Sequence, residues 1–242
     1  EYRRQRQMCI RDRRLTVALG FDIVALRIAS FFAPLTRLVG RRSPWRNPRE
    51  LAVAAGAAFR VVTDINDAAA CDAIRGLRPD LVISLHFDQI LRAPFLAAAA
   101  CPVVNIHPAL LPSHRGPCPA FWTLAAGDTT CGVTVHRIVD ETIDTGPAVA
   151  RRARPVPAGR CMGELDEMLF ADGVEALLGV LSGQGDLVLG AAGGSPGYEG
   201  FPDRAAVRRA RRAGVRLWRL WHAVRLIGAL LGWLRPVAWT AK

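Results

Sequence analysis

Val103-Val104-Asn105-Ile106-His107-Pro108-Ala109-Leu110-Leu111-Pro112-Ser113-His114-Arg115-Gly116 is the stretch that decides the fold. An apolar run ends in Asn-x-His, and a loop rich in Pro and Gly follows. Side chains two apart on a strand point the same way, so Asn105 and His107 present an amide and an imidazole side by side at a strand end. In open α/β proteins, ligands sit where strand ends open into loops. Downstream, Gly132-Val133-Thr134-Val135-His136 reads as a second strand, and Asp140-Glu141-Thr142-Ile143-Asp144-Thr145-Gly146-Pro147 as an acidic loop closed by Gly-Pro. Asn, His and Asp gathered at one place would make an acid–base and oxyanion-binding constellation.

The surrounding pattern alternates strands with helices. Strands are expected over 59–63, 81–85, 102–107, 131–138 and 148–156, and helices over 49–56, 67–76, 90–100, 119–126 and 163–181. Asp64 or Asn66 is the expected cap of the helix over 67–76. The apolar run over 81–85 suits a central parallel strand. This order predicts an α/β fold with a Rossmann-like, mostly parallel sheet and flanking helices. No Gly-x-Gly-x-x-Gly or phosphate-loop motif accompanies it, so a nucleotide cofactor is not implied.

Taken in order, the blocks Asn105-x-His107-x-x-Leu110-Leu111-Pro112-x-x-Arg115-Gly116, Gly132-x-Thr134-x-His136 and Asp144-x-Gly146 resemble the formyltransferases that use N10-formyltetrahydrofolate. The family includes glycinamide ribonucleotide, methionyl-tRNA and amino-sugar enzymes. The resemblance runs from about Phe59 to Gly183. It implies the formyltransferase fold, and N10-formyltetrahydrofolate as co-substrate with no metal. It also implies catalytic roles for three residues. Asn105 donates to the formyl oxygen, His107 adds a second donor, and Asp144 holds His107 and raises its pKa, as a neighbouring carboxylate does. Leu85, Gln89, Ile90 and Leu91 would line the folate site, with Asp140, Glu141 and Ile143 supplying further contacts. Arg115 and Gly116 would place the acceptor. His86 reads as a solvated strand-end residue, His136 as structural and Cys118 as an inert thiol.

Charge is unevenly spread. Residues 1–14 carry six arginines against Glu1 and Asp12, and residues 203–242 carry nine arginines and Lys242 against Asp203. Of the net +11, only −2 is left on 15–202. The segments read as 1–14, without a hydrophobic period and resembling translated sequencing-adapter sequence; 15–58, similar to a helical insertion of some formyltransferases; 59–183, the catalytic core; 184–202, a linker or covering loop; and 203–242, a basic amphipathic helical tail. Family members open with a strand, a helix and a second strand. These find no convincing copy here, so the first strands are expected to be missing and a sheet edge exposed.

The six scattered cysteines form no Cys-x-x-Cys pair and suit reduced thiols in the cytoplasm, and no cleavable leader is read at the start. The tail fits either an interfacial membrane helix, with Trp218, Trp221, Trp233 and Trp239 at the boundary, or a helix packed on protein or on a second subunit. The expected activity is formyl transfer to an amine of a sugar, nucleotide sugar or lipid-linked intermediate at the cytoplasmic side, without nucleic acid as partner. The alternatives are a methionyl-tRNA formyltransferase-like enzyme and an inactive membrane-associated fragment. A metal hydrolase using His86, His107, His136 and Asp144 lacks a tight ligand motif such as His-Glu-x-x-His.

Overall fold

A computed structural model describes residues 55–184 and 197–219. The expected helix over 49–56, the insertion over 15–58, most of the linker over 184–202 and the tail beyond Arg219 lie wholly or largely outside them. The chain divides into two compact units, and the described residues 62–184 and 197–217 belong to one of them.

The elements of that unit run in the order α1 (Ala68–Leu77), β1 (Val82–Leu85), α2 (Ala93–Ala99), β2 (Val103–His107), α3 (Pro119–Ala126), β3 (Thr130–Arg137), β4 (Ala148–Pro155), α4 (Met162–Leu181) and α5 (Arg204–Arg212). The strands form one sheet in sequence order. β1 and β2 pair in parallel across α2, whereas β3 pairs antiparallel with both β2 and β4. Flanking helices on a Rossmann-like sheet are thus observed, but the described sheet is mixed rather than mostly parallel. β1 is an outer strand among the described residues, and its side chains alternate between half-buried and exposed.

Packing follows the strand period. Val104 and Ile106 of β2, with Val133 and Val135 of β3, face Leu177 and the rest of one buried cluster. α4 covers that face. Its Gly173 brings the helix so near the sheet that a Cβ there would collide with the Ile106 and Val133 methyl groups. Cys161 begins α4, and its N–H is accepted by the buried Glu164 side chain at 3.1 Å, which caps the first turn. Val103 points to the opposite face and joins Leu91, Phe95 and Cys71 in a second cluster beneath α1 and α2.

Two local expectations are corrected. The cap of α1 is Asp67, whose carboxylate accepts from the Ala70 N–H at 2.7 Å. Asn66 instead uses its amide to tie Ile90 O and Arg92 N–H at 2.9 and 2.8 Å. Residues 59–63 carry no strand pairing among the described residues. The Gln89 side chain bonds the chain at the end of this segment, donating to Thr63 O at 3.1 Å and accepting from Ile65 N–H at 2.8 Å.

In the tail, α5 is capped by Asp203, buries Ala206, Val207 and Ala210, and exposes Arg208, Arg209, Arg211 and Arg212. No described helix is long and apolar enough to cross a membrane.

Candidate active site

The register of β2 and β3 builds the site. Asn105 pairs with His136 and His107 with Thr134, so all of these point to the face opposite α4. Thr134 is fully buried and organises the loop after β2. Its hydroxyl donates to Ala109 O at 2.8 Å and accepts from the Leu111 N–H at 3.0 Å. After β3 the chain turns back tightly. Arg137 N–H donates to Pro147 O at 2.9 Å, and Gly146 lies so close to Arg137 O that no Cβ would fit. This turn delivers Asp144, with φ of 54°, into the cluster; aspartate tolerates that left-handed backbone better than most residues.

Asp144 is the hub. Its Oδ2 accepts from the Gly116 N–H at 2.8 Å and lies 3.5 Å from His107 Nδ1. Its Oδ1 lies 3.4 Å from Asn105 Nδ2 and 3.3 Å from His136 Nε2. His107, His136 and Asp144 are all buried, and Asn105 is the half-exposed member.

Backbone carbonyls set the tautomers. His107 Nε2 must donate to His114 O at 2.9 Å, and His136 Nδ1 must donate to Arg137 O at 3.1 Å, because a carbonyl only accepts. In each ring the remaining nitrogen faces Asp144. The same His136 nitrogen lies 3.2 Å from Asn105 Nδ2. Two imidazoles thus direct their second nitrogens toward one carboxylate, which stabilises a proton held on either of them.

Burial pushes the His107 pKa below its ordinary value, outweighing the attraction of Asp144 and the hydrogen bond to His114. Asp144 acts in the expected, raising sense, and the net lowering leaves the ring able to accept a proton. Burial also opposes ionisation of Asp144. The charge that His107 carries once protonated, the His136 side chain and the Gly116 N–H overcome it and hold the carboxyl at about 2.

The other singled-out residues are distributed around this cluster. The Arg115 guanidinium donates twice to Ile143 O, at 3.1 and 2.8 Å, which ties the acidic loop to the loop after β2. Asp140 accepts from the Thr142 N–H at 2.8 Å, and Glu141 from the Ala93 N–H at 3.3 Å. The latter contact places the acidic loop beside the start of α2 and the Gln89–Leu91 segment. Leu85 is exposed, whereas the Leu91 side chain is buried in the cluster under α1. His86 stacks on Phe170 and lies 3.7 Å from Asp166, both of α4. Asp166 is pushed up to about 6, chiefly by burial.

Three residues beside the cluster carry no sequence signal for a site role. The two-residue spacing of His136, which reads as structural, from Thr134 places both on the Asn105 face once β3 pairs with β2. His114 and Glu199 are joined at 2.8 Å. Among the described residues, no group of three or more His, Cys, Asp or Glu is arranged to hold a metal ion.

With this geometry in place, the chain can be compared with known proteins. A family model described as formyl transferase matches residues 41–181, more than half of the chain. The chain belongs to the formyl transferase family. A methionyl-tRNA formyltransferase of Roseiflexus sp. (strain RS-1) is 34% identical over 142 residues, covering 59% of this chain and 43% of that protein. The methionyl-tRNA formyltransferase of Halorhodospira halophila (strain DSM 244 / SL1) is 41% identical over 105 residues, covering 43% of this chain and 34% of that protein. The chain thus spans less than half the length of these curated relatives. Among solved structures, a sugar N-formyltransferase from Shewanella sp FDAARGOS_354 superposes with TM-score 0.50 at 19% identity, covering 68% of this chain and 71% of that one. An N-formyltransferase from Helicobacter canadensis, solved with folinic acid and dTDP-3-aminofucose, gives TM-score 0.51 at 17% identity, covering 66% and 56%. These two support the fold.

Proposed function

We propose that this chain transfers a formyl group from N10-formyltetrahydrofolate to the amine of a small acceptor, an amino sugar, nucleotide sugar or lipid-linked intermediate. The observation that carries the reading is the Asn105–His107–His136–Asp144 cluster at the end of β2 in a chain of the formyl transferase family. The amine nitrogen attacks the formyl carbon, a C–N bond forms, and the bond to folate N10 breaks. The amine loses a proton and N10 gains one. Half-exposed Asn105 offers its amide to the oxygen that becomes an oxyanion; one aimed donor of this kind contributes ~3 kcal/mol to the barrier. His107, with its Nδ1 toward Asp144, takes the amine proton, and the ionised carboxylate stabilises the imidazolium that results. Leu85, Gln89, Ile90 and Leu91, with Asp140, Glu141 and Ile143, border the folate. The contact of Glu141 with the Ala93 N–H supports this by making the two segments neighbours. Arg115 and Gly116 hold the loop that meets the acceptor.

Methionyl-tRNA is the second reading, favoured by the curated relatives at 34% and 41% identity. The test is to incubate the protein with N10-formyltetrahydrofolate and a panel of amino sugars, nucleotide-linked amino sugars and methionyl-tRNA. Formylated product is then read by mass spectrometry. Product from one acceptor class is expected, with Asn105→Ala lowering its rate about 100-fold. Full turnover in that variant, or no product from any amine, would sink the reading.

A further inference from the structure

One segment that holds the cluster from outside lies beyond the region matched by the family model, residues 41–181. The segment around Tyr198–Gly200 crosses the loop after β2 like a strap. Tyr198 bridges Arg115 in parallel, Glu199 N–H donates to Arg115 O at 2.9 Å, and Trp122 Nε1 donates to Gly200 O at 3.0 Å. Gly116 meets the strap closely: with φ of +100°, it has room for no Cβ, which would sit 2.7 Å from the Tyr198 ring.

The strapped tripeptide is the one that orients the cluster. His114 O receives the His107 Nε2–H, the Arg115 guanidinium holds Ile143 O next to Asp144, and the Gly116 N–H holds Asp144 Oδ2. On the outer side the His114 ring is clamped at both nitrogens, Nδ1 to Glu199 Oε2 at 2.8 Å and Nε2 to Asp128 Oδ2 at 2.7 Å. Two carboxylate oxygens at those distances require both nitrogens to donate, so the ring is an imidazolium. The titratable groups facing it are Asp128, Glu199 and the neighbouring His107.

We propose that Glu199 is a positioning residue for formyl transfer, fixing His107 and Asp144 through a charged clasp on His114. The inference rests on the function proposed above. Glu199 holds the ring, the ring holds the carbonyl of its own residue, and that carbonyl holds His107 in the tautomer whose Nδ1 faces Asp144. A lost clasp frees the carbonyl, and an orienting partner of this kind controls rate through geometry.

The experiment compares the protein with Glu199→Ala and the isosteric Glu199→Gln, and follows formyl transfer across pH. Nitrogen-15 NMR of the histidine rings accompanies it. Glu199→Ala is expected to lower kcat roughly tenfold with little change in KM. It should also shift the His107 Nε2 resonance away from that of a hydrogen-bonded N–H. Glu199→Gln should keep more of the rate and move the alkaline limb of the profile to lower pH, because the imidazolium has lost one of its two anions. Wild-type kcat, pH profile and His107 resonance in both variants, with only a lower Tm, would make Glu199 a structural residue and overturn the proposal. If the unaltered protein formylates no amine, the function fails. The His107 resonance then still decides the clasp, since an unshifted signal in Glu199→Gln and Glu199→Ala refutes it.

Discussion

His107 and His114 lie seven residues apart and share a hydrogen bond, yet their environments drive them in opposite directions. Both have carboxylates nearby, and both lose water. His107 is enclosed, its one carboxylate stands 3.5 Å away, and burial lowers its pKa. Burial acts on His114 in the same sense. It is outweighed there by hydrogen bonds to Asp128 and Glu199 and by their charges, so the pKa is raised. His114 also borders a cavity of about 320 Å³ lined by Ser113, Asp128, Tyr198 and Glu199, among others. A single carboxylate just outside hydrogen-bond range does not repay the desolvation of a buried imidazole. Two in direct contact at a less enclosed position do. One histidine is thereby set to accept a proton and the other to keep one.

The largest effect should come from removing the hub that the first histidine faces. Asp144→Asn keeps the shape of the side chain but not its charge. Formyl transfer should fall by ~100-fold or more, measured as product per unit time at saturating folate. A variant within a few-fold of the parent would show that the buried carboxylate is not part of the chemistry.

Next in size is acid stability. The Asp144 pKa is held at about 2, below the ordinary carboxylate value, so the folded state binds this proton less readily than the unfolded chain. Its contribution is present above the unfolded value near 4 and is lost as pH falls through about 2. A shift of this size corresponds to roughly 2.5 kcal/mol. Urea midpoints measured from pH 5 down to pH 2 should drop steeply for the parent and less for Asp144→Asn. Parallel curves would assign the acid loss to other carboxylates.

The smallest effect compares the two histidines directly. His107 has a lowered folded pKa, so its contribution is complete above the unfolded value near 6.5 and is lost as pH falls below it. His114 has a raised one, so its contribution is complete below about 6.5 and is lost as pH rises through the folded value. The two slopes have opposite signs, that of His107 lying below about pH 6.5 and that of His114 above it. Replacing His107 with Asn should leave stability that declines as pH rises, and replacing His114 with Asn should leave stability that climbs. Thermal melts at several pH values read the sign, and equal slopes in the two variants would erase the contrast.

Much of the architecture was legible because it depends on neighbours along the chain. The helix expected over 119–126 is found as Pro119–Ala126, begun by a proline at its first position and ended by Gly127 in the left-handed region. β2 follows from its apolar run and stops before Pro108. Failures came where a distant partner decides. Residues 59–63 have the composition of a strand but carry no strand pairing among the described residues, where the Gln89 side chain donates to Thr63 O. The direction of β3 was not readable either, since the alternation of its side chains is the same in a parallel or an antiparallel neighbour.

From the sequence alone came the family, through Asn105, His107, Arg115 and Gly116 in one block and Asp144 in another, together with the face on which Asn105 and His107 stand. Those are consequences of residue type and two-residue periodicity. Only the tertiary structure decided that β3 runs back along β2 and sets His136 opposite Asn105, and that Tyr198 and Glu199 return to strap the loop. It also decided the opposite pKa shifts of His107 and His114. The ionisation of an imidazole depends on how much water it loses and how many anions it touches. Both quantities belong to the packed molecule and to no local stretch of the chain.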